Sequence, residues 1–224
     1  TEGNDYTTTQ ALDPSATTIT ATEHGVQSVV TDMAWKAIVD PNGKAAFAED
    51  VARNHVRAIM TKVDTDIMAL FDNLDSGVTN TGVDLTNAHI LYVVDLCEKA
   101  NMPKPWAGFL HPQQWYDLVT EANGPWASAA ASGSYAEEMY GTYHVGKFYG
   151  VDWFVSTNVP TANAGADRGG AIISTEAIGG VWVTMPTTTV EHDQSLRGDE
   201  VLTVARYGVA EIDGTMGMCI ISDA

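Results

Sequence analysis

Glu191, His192 and Asp193 are the residues of this chain best placed for polar chemistry. The Thr- and Val-rich run before them predicts a strand, and the period of two along a strand puts Glu191 and Asp193 on one face. Carboxylates paired in this way bind cations or share a proton, the outline of a metal-dependent hydrolase. The segment then runs straight into Gln194-Ser195-Leu196-Arg197-Gly198, a turn sequence, so a solvated strand end is the plainer reading. His111 beside Pro112, with Trp106 and Trp115 near it, reads as a strand-to-helix junction in preference to a general base.

Other motifs are weaker still. Phosphate-loop and dinucleotide fingerprints are missing from the sequence, and Gly165 through Gly170 precedes a strand where a phosphate loop would open a helix. Asp72-Asn73-Leu74-Asp75-Ser76-Gly77 resembles the start of a calcium loop, but Leu74 takes a ligand position and Val83 stands where a bidentate Glu belongs. No Ser or Cys sits in a nucleophile turn. The two cysteines, Cys97 and Cys219, lie in apolar runs and read as small core hydrophobes. Nothing here calls for a catalytic residue, a cofactor or a metal.

Composition excludes more than it identifies. Twenty-nine acids against eleven Lys and Arg give a formal charge of -18, and residues 1–35 carry no Lys or Arg at all. Tight nucleic-acid binding needs clustered cations to displace counterions from phosphates, so direct DNA recognition is disfavoured. No window approaches the eighteen or so apolar residues of a membrane span. The first methionine is Met33, which predicts a processed product with a segment upstream.

The elements that would carry these residues are more telling. Residues 5–31 predict a hairpin, Thr7–Leu12 and Thr17–Val30 joined by the Asp13-Pro14-Ser15-Ala16 turn. Such a ribbon is marginal alone; if ordered it is expected to lie on another surface, such as that of a neighbouring copy, and a flexible tail is the plainer alternative. Thr31 or Asp32 caps a short helix, Met33–Val39, ended by an Asp40-Pro41-Asn42-Gly43 turn. Phe47, Val51, Ile59, Val63, Ile67, Leu70, Phe71 and Leu74 recur at helical spacing and predict a spine helix over 44–73, roughly 45 Å long at about 1.5 Å per residue. Gly77 is expected to stop it with a positive φ. Helices follow at 86–101 and from His111-Pro112 to about Ala122, with a buried strand Trp106–Leu110 between them. The stretch 123–145 predicts a long loop with a contact role. From 146 the period shifts to two, predicting strands at 147–157, 171–174, 180–184, 187–192, 200–207 and 216–222. Helices first and strands after define an α+β chain.

This order, with four stretches in particular, resembles the major capsid protein of tailed bacteriophages, whose shell fold is shared with encapsulins. The stretches are Thr31-Asp32-Met33-Ala34-Trp35 running into the spine helix; 86–101 followed by Pro103 and by Gly108 through Leu118; Gly146 through Pro160; and Thr189 through Glu211. The resemblance implies an α+β phage major-capsid fold. Residues 1–35 would be the extended loop and the start of the peripheral region, 36–77 the spine helix, 78–185 the axial domain, 186–209 peripheral strands and 210–224 a strand returning to the axial domain. It implies a non-enzymatic subunit of an icosahedral shell around double-stranded DNA. Its partners would be identical copies in hexamers and pentamers, with decoration, scaffolding and portal proteins, and no membrane. On this chain the subunit contacts would fall at Leu12, Asp13, Pro14 and Ile19 on the arm, Glu49, Arg53 and Arg57 on the spine, and Trp126, Tyr135 and Tyr140 in the loop. An encapsulin-like compartment and a secreted acidic β-rich binding module stand as alternatives.

Overall fold

A computed structural model describes residues 17–38, 41–121 and 146–223. Two sheets organise it. The first is three-stranded, in the order β1 (Thr22–Thr31), β9 (Gly198–Glu211), β8 (Ile178–Asp193), antiparallel throughout. The second is a mixed seven-stranded sheet. Its path runs β2 (Asp75–Thr79), β10 (Gly217–Asp223), β7 (Asp167–Ser174), β3 (Trp106–Leu110), β5 (Val151–Val155), β4 (Lys147–Phe148), and β6 (Thr161–Ala162) pairs β7 off that path.

The spine is α2, Pro41–Met68, which continues as a 3-10 turn over Ala69–Asn73. Pro41 opens this helix, where its missing N–H costs nothing, and so does not belong to a turn that ends α1 (Asp32–Ala37). The Thr31 hydroxyl caps α1, accepting from the Ala34 N–H at 3.3 Å. Ile59, Val63, Met68 and Phe71 are buried, while Phe47, expected on the inner face, is 39 % exposed and meets Trp35 edge to face. At 28 residues the helix is roughly 42 Å long.

The ribbon reading is corrected in its second half. Residues 22–31 form the edge of the chain's own three-stranded sheet, pairing from Thr22↔Tyr207 to Thr31↔Gly198. Thr7–Leu12 and the 13–16 turn lie outside the described residues, as does the whole of the 123–145 loop. Three further differences have simple causes. Residues 180–184 and 187–192 are one strand, β8, because register shifts on either side of Thr184 absorb Pro186 without ending the ladder. Residues 147–157 split into a tight hairpin, since Tyr149 and Gly150 both take positive φ. Gly77 does not end a helix; it sits at a bulge in β2, where a Cβ would stand 2.6 Å from the Cys219 carbonyl.

The seven-stranded sheet has a core on each face. On one, Ile90, Val93 and Cys97 of α3 (Asn87–Lys99) and Trp115 and Leu118 of α4 (Pro112–Thr120) pack on Trp106, Leu110 and Ile172. On the other, Met68, Phe71 and Leu74 pack with Val159, Ala171 and Ala177, and Phe71 lies 5.7 Å from Phe109. The sheets are joined where β7 passes into β8, β9 returns to β10, and the 3-10 turn leads to β2.

Candidate functional site

The spine helix is fastened to the three-stranded sheet by two polar joints. His55, 5 % exposed, places Nε2 2.7 Å from the Ser28 hydroxyl of β1 and Nδ1 3.2 Å from the Thr203 hydroxyl of β9. Thr203 lies 2.8 Å from the Thr188 hydroxyl of β8, so one hydrogen-bonded chain runs from the helix to all three strands. Each buried polar atom in it has a partner, as its loss from water requires. One helical stretch further on, the Tyr207 hydroxyl donates to Asp66 Oδ2 at 2.7 Å, and Lys62 donates to the same carboxylate. Burial alone would raise the Asp66 pKa, yet the hydrogen bonds from Lys62 and Tyr207 hold it below its usual range. The Tyr207 hydroxyl is pushed up, by burial first and then by the carboxylate it serves. His24 stacks on the Tyr207 ring at 4.7 Å and Trp182 lies against it at 5.2 Å.

The contact candidates separate into three groups. Leu12, Asp13, Pro14, Trp126, Tyr135 and Tyr140 lie outside the described residues. Ile19 is half-buried with its Cδ1 against Gly179 of its own chain. Glu49 and Arg53 are exposed and pair with each other at 2.7 Å, with Asp50 also 3.5 Å from Arg53. Arg57 is exposed, and among the described residues no carboxylate pairs with it. Sequence reading passed over β8 as a surface. Among the described residues it is a sheet edge 16 residues long, with Val183, Met185 and Val190 exposed and no Lys or Arg along it. Its β-branched residues, Val181, Val183, Thr184 and Thr187 through Val190, were the available signal.

The residues singled out for chemistry are dispersed into structural roles. His192 pairs with Asp199 across the β8–β9 ladder at 2.7 Å, and that bond raises its pKa. Asp193 accepts from the Ser195 hydroxyl and then from the backbone N–H groups of Ser195 and Leu196, which lowers its own; it caps the turn. Glu191 stands opposite Glu200 in the register. His111 caps α4, accepting from the Gln113 N–H at 3.3 Å while Gln114 Oε1 accepts from the His111 N–H at 3.0 Å. Its pKa is lowered by burial and then by Arg168. Asp167 through Gly170, read as loop, belong to β7. Cys97 and Cys219 are buried free thiols, each pushed up to about 11 by burial.

Among the described residues no three His, Cys, Asp or Glu side chains converge as metal ligands would, and no helix is long and apolar enough to cross a membrane. Two surface cavities stand out, one of about 260 Å³ between Trp106, Phe154 and Ile173, the other of about 330 Å³ between Asp72, Ser76, Thr161 and Asn163. Neither contains any of the residues proposed for acid–base work. The arrangement is built to hold a long helix rigidly on a sheet and to present surface.

No protein-family model matches the chain, and no curated protein matches it. Solved structures do. A structure of Mycobacterium phage Che8 is similar at a TM-score of 0.71 and 16% identity, over 89% of this chain and 70% of that one. The capsid structure of cyanophage P-SCSP1u is similar at 0.64 and 12%, over 99% and 82%. The holo-SrpI encapsulin complex from Synechococcus elongatus is similar at 0.58 and 11%, over 90% and 73%. The chain therefore has the α+β fold of these phage structures and of the encapsulin.

Proposed function

We propose that this protein is a major capsid subunit of a tailed phage, a structural component of the virion that assembles with identical copies into an icosahedral shell around a double-stranded DNA genome. The observation that supports the reading best is the similarity to a phage capsid structure over 99% of the chain, helix, both sheets and the connections between them included. In this reading α2 with the three-stranded sheet is the peripheral domain. The seven-stranded sheet with α3 and α4 is the axial domain, packed head-to-tail around fivefold and sixfold positions, where heterologous contacts close into pentamers and hexamers. The arm before residue 17 and the exposed Arg57 meet neighbouring copies. Interfaces of this obligate kind bury about 2,000–5,000 Å² in total. Decoration, scaffolding and portal proteins would be further partners, and the -18 charge disfavours direct, sequence-specific contact with the enclosed DNA.

The similarity to an encapsulin favours a second reading, a protein nanocompartment. Electron microscopy of the purified protein, with the nucleic-acid content of any particles measured, tests both. Closed particles isolated with DNA from phage-infected cells are the expected result; DNA-free particles holding protein cargo favour the compartment, and a stable monomer overturns both.

A further inference from the structure

We infer that the cavity between Trp106, Phe154 and Ile173 receives the tip of the β8–β9 hairpin of a second copy, with Leu196 entering the cavity and Arg197 meeting Glu176 at its rim. That copies of the chain meet at all rests on the shell reading above.

Asp152, Ala107 and Ile173 form one row across β5, β3 and β7, on the sheet face shared with Phe109 and Ala171. Phe71, Phe109 and Phe154 carry the core outward along this face, ring centroids 5.7 and 5.5 Å apart, and the row ends at Phe154, 53 % exposed. Ala107 is too small to fill the space between Phe154 and Ile173, and the hollow there is about 260 Å³. Sites for drug-sized ligands run from about 300 to 1,000 Å³, so this one suits a single side chain. Of the charges around it, Asp152 is engaged by Lys147 at 3.2 Å, and Lys104, beside Pro105, by Glu98 at 2.7 Å. Glu176, which follows the lining residue Thr175, is exposed and has no ion pair among the described residues.

A matching knob is present on the chain itself. Among the exposed large apolar side chains of the described residues, only Leu196 is next in sequence to a Lys or Arg. That cation, Arg197, is exposed and has no carboxylate partner among the described residues. The tip is already ordered, since the Asp32 N–H donates to the Arg197 carbonyl at 2.8 Å and Asp193 caps the turn, so binding has little left to fix. β8 is 16 residues long, roughly 50 Å from end to end, and the cavity lies at its base, where Ser174 and Thr175 lead into it. A chain therefore cannot fill its own cavity. Tip-to-base contact is heterologous, each copy giving one knob and receiving another. Between copies that each carry -18, it sets an unpaired cation against an unpaired carboxylate.

Disulfide trapping, with assembly followed by light scattering and electron microscopy, provides the test. Cys97 and Cys219 are buried, so a mild oxidant joins only cysteines introduced at the surface. Leu196→Cys with Thr175→Cys in one chain is expected to give a ladder of covalent oligomers on a non-reducing gel. Leu196→Cys with Thr120→Cys, at the end of α4 on the other face of the sheet, gives none, and neither does Leu196→Cys alone. Arg197→Glu and Glu176→Arg are each expected to slow assembly about tenfold, and the two together to bring it back to within about threefold of the parent. Closed particles without a ladder overturn the contact and leave the shell reading standing. A ladder without closed particles upholds the contact and overturns the shell reading. The absence of both overturns both. A ladder from Leu196→Cys alone means that tips meet tips and overturns the contact, and a double charge reversal that fails to recover overturns the pairing of Arg197 with Glu176.

Discussion

His55 and Asp66 show why side chains that look like candidates for chemistry have become fasteners. Each sits on the face of α2 that meets the sheet, and each finds partners there in hydroxyl groups, which accept or donate as needed. Asp66 carries a consequence for pH. Its folded pKa lies below the ordinary value of 3.8, so its contribution to stability is present above that value and is lost as pH falls through the lower, folded one. Tyr207→Phe removes one of the two donors that hold it down. The substitution is expected to cost about 1.5 kcal/mol at pH 7, the low end of the range for a hydrogen bond to a charged group because the site is only partly buried. The acid limb of the stability curve is also expected to begin at a higher pH than in the parent. Urea midpoints from pH 7 down to pH 3 check both; parallel curves would mean that Tyr207 does not tune Asp66.

Among the elements, α4 shows most plainly how a helix is tied to a sheet. Gln114 is wholly buried, and its amide donates to the Arg168 carbonyl at 3.1 Å and the Ser222 hydroxyl at 2.9 Å. Its carbonyl oxygen completes the cap on His111. Helical spacing with Trp115 and Leu118 marks the inner face of α4 in the sequence, but a Gln on that face reads as a defect until the strand carbonyls opposite are seen. Gln114→Leu keeps the volume and leaves these groups unpaired, at an expected cost of about 2–3 kcal/mol. A thermal or denaturant unfolding curve measures it, and a neutral result would mean that water or rearrangement replaces all three bonds. The strand β2 was missed for a related reason. Its five residues, Asp75–Thr79, have no alternation of their own and are held by β10 and by the closeness of Gly77 to the Cys219 carbonyl.

For the molecule as a whole the dominant quantity is charge. Every copy carries -18, so association works against mutual repulsion between copies. Raising ionic strength from about 0.01 M to about 0.5 M shortens the screening length from about 30 Å to under 5 Å. Assembly followed by light scattering is therefore expected to be faster and more complete at the higher salt. Association that weakens steadily with salt would instead point to complementary ion pairs at the interfaces, with residues such as Arg57 bearing more of the binding than apolar contact does.

Much of this architecture was legible beforehand, because local chemistry dictates it. The spine helix, the helices at 86–101 and from His111-Pro112, and the shift to strands after 146 follow from periodicity and from groups within four residues of one another. The order of those elements was enough to suggest a shell subunit. Tertiary structure alone decided which surfaces meet. It turned residues 22–31 from half of a free ribbon into a strand of the chain's own sheet, made a fastener of His55 through Ser28 and Thr203, and showed that Gly208 leaves space for the Thr20 carbonyl oxygen. Such pairings join positions 27 to 188 residues apart, and no local propensity encodes a partner at that range. They are selected by the packing of whole faces, where burial and hydrogen-bond satisfaction must succeed together.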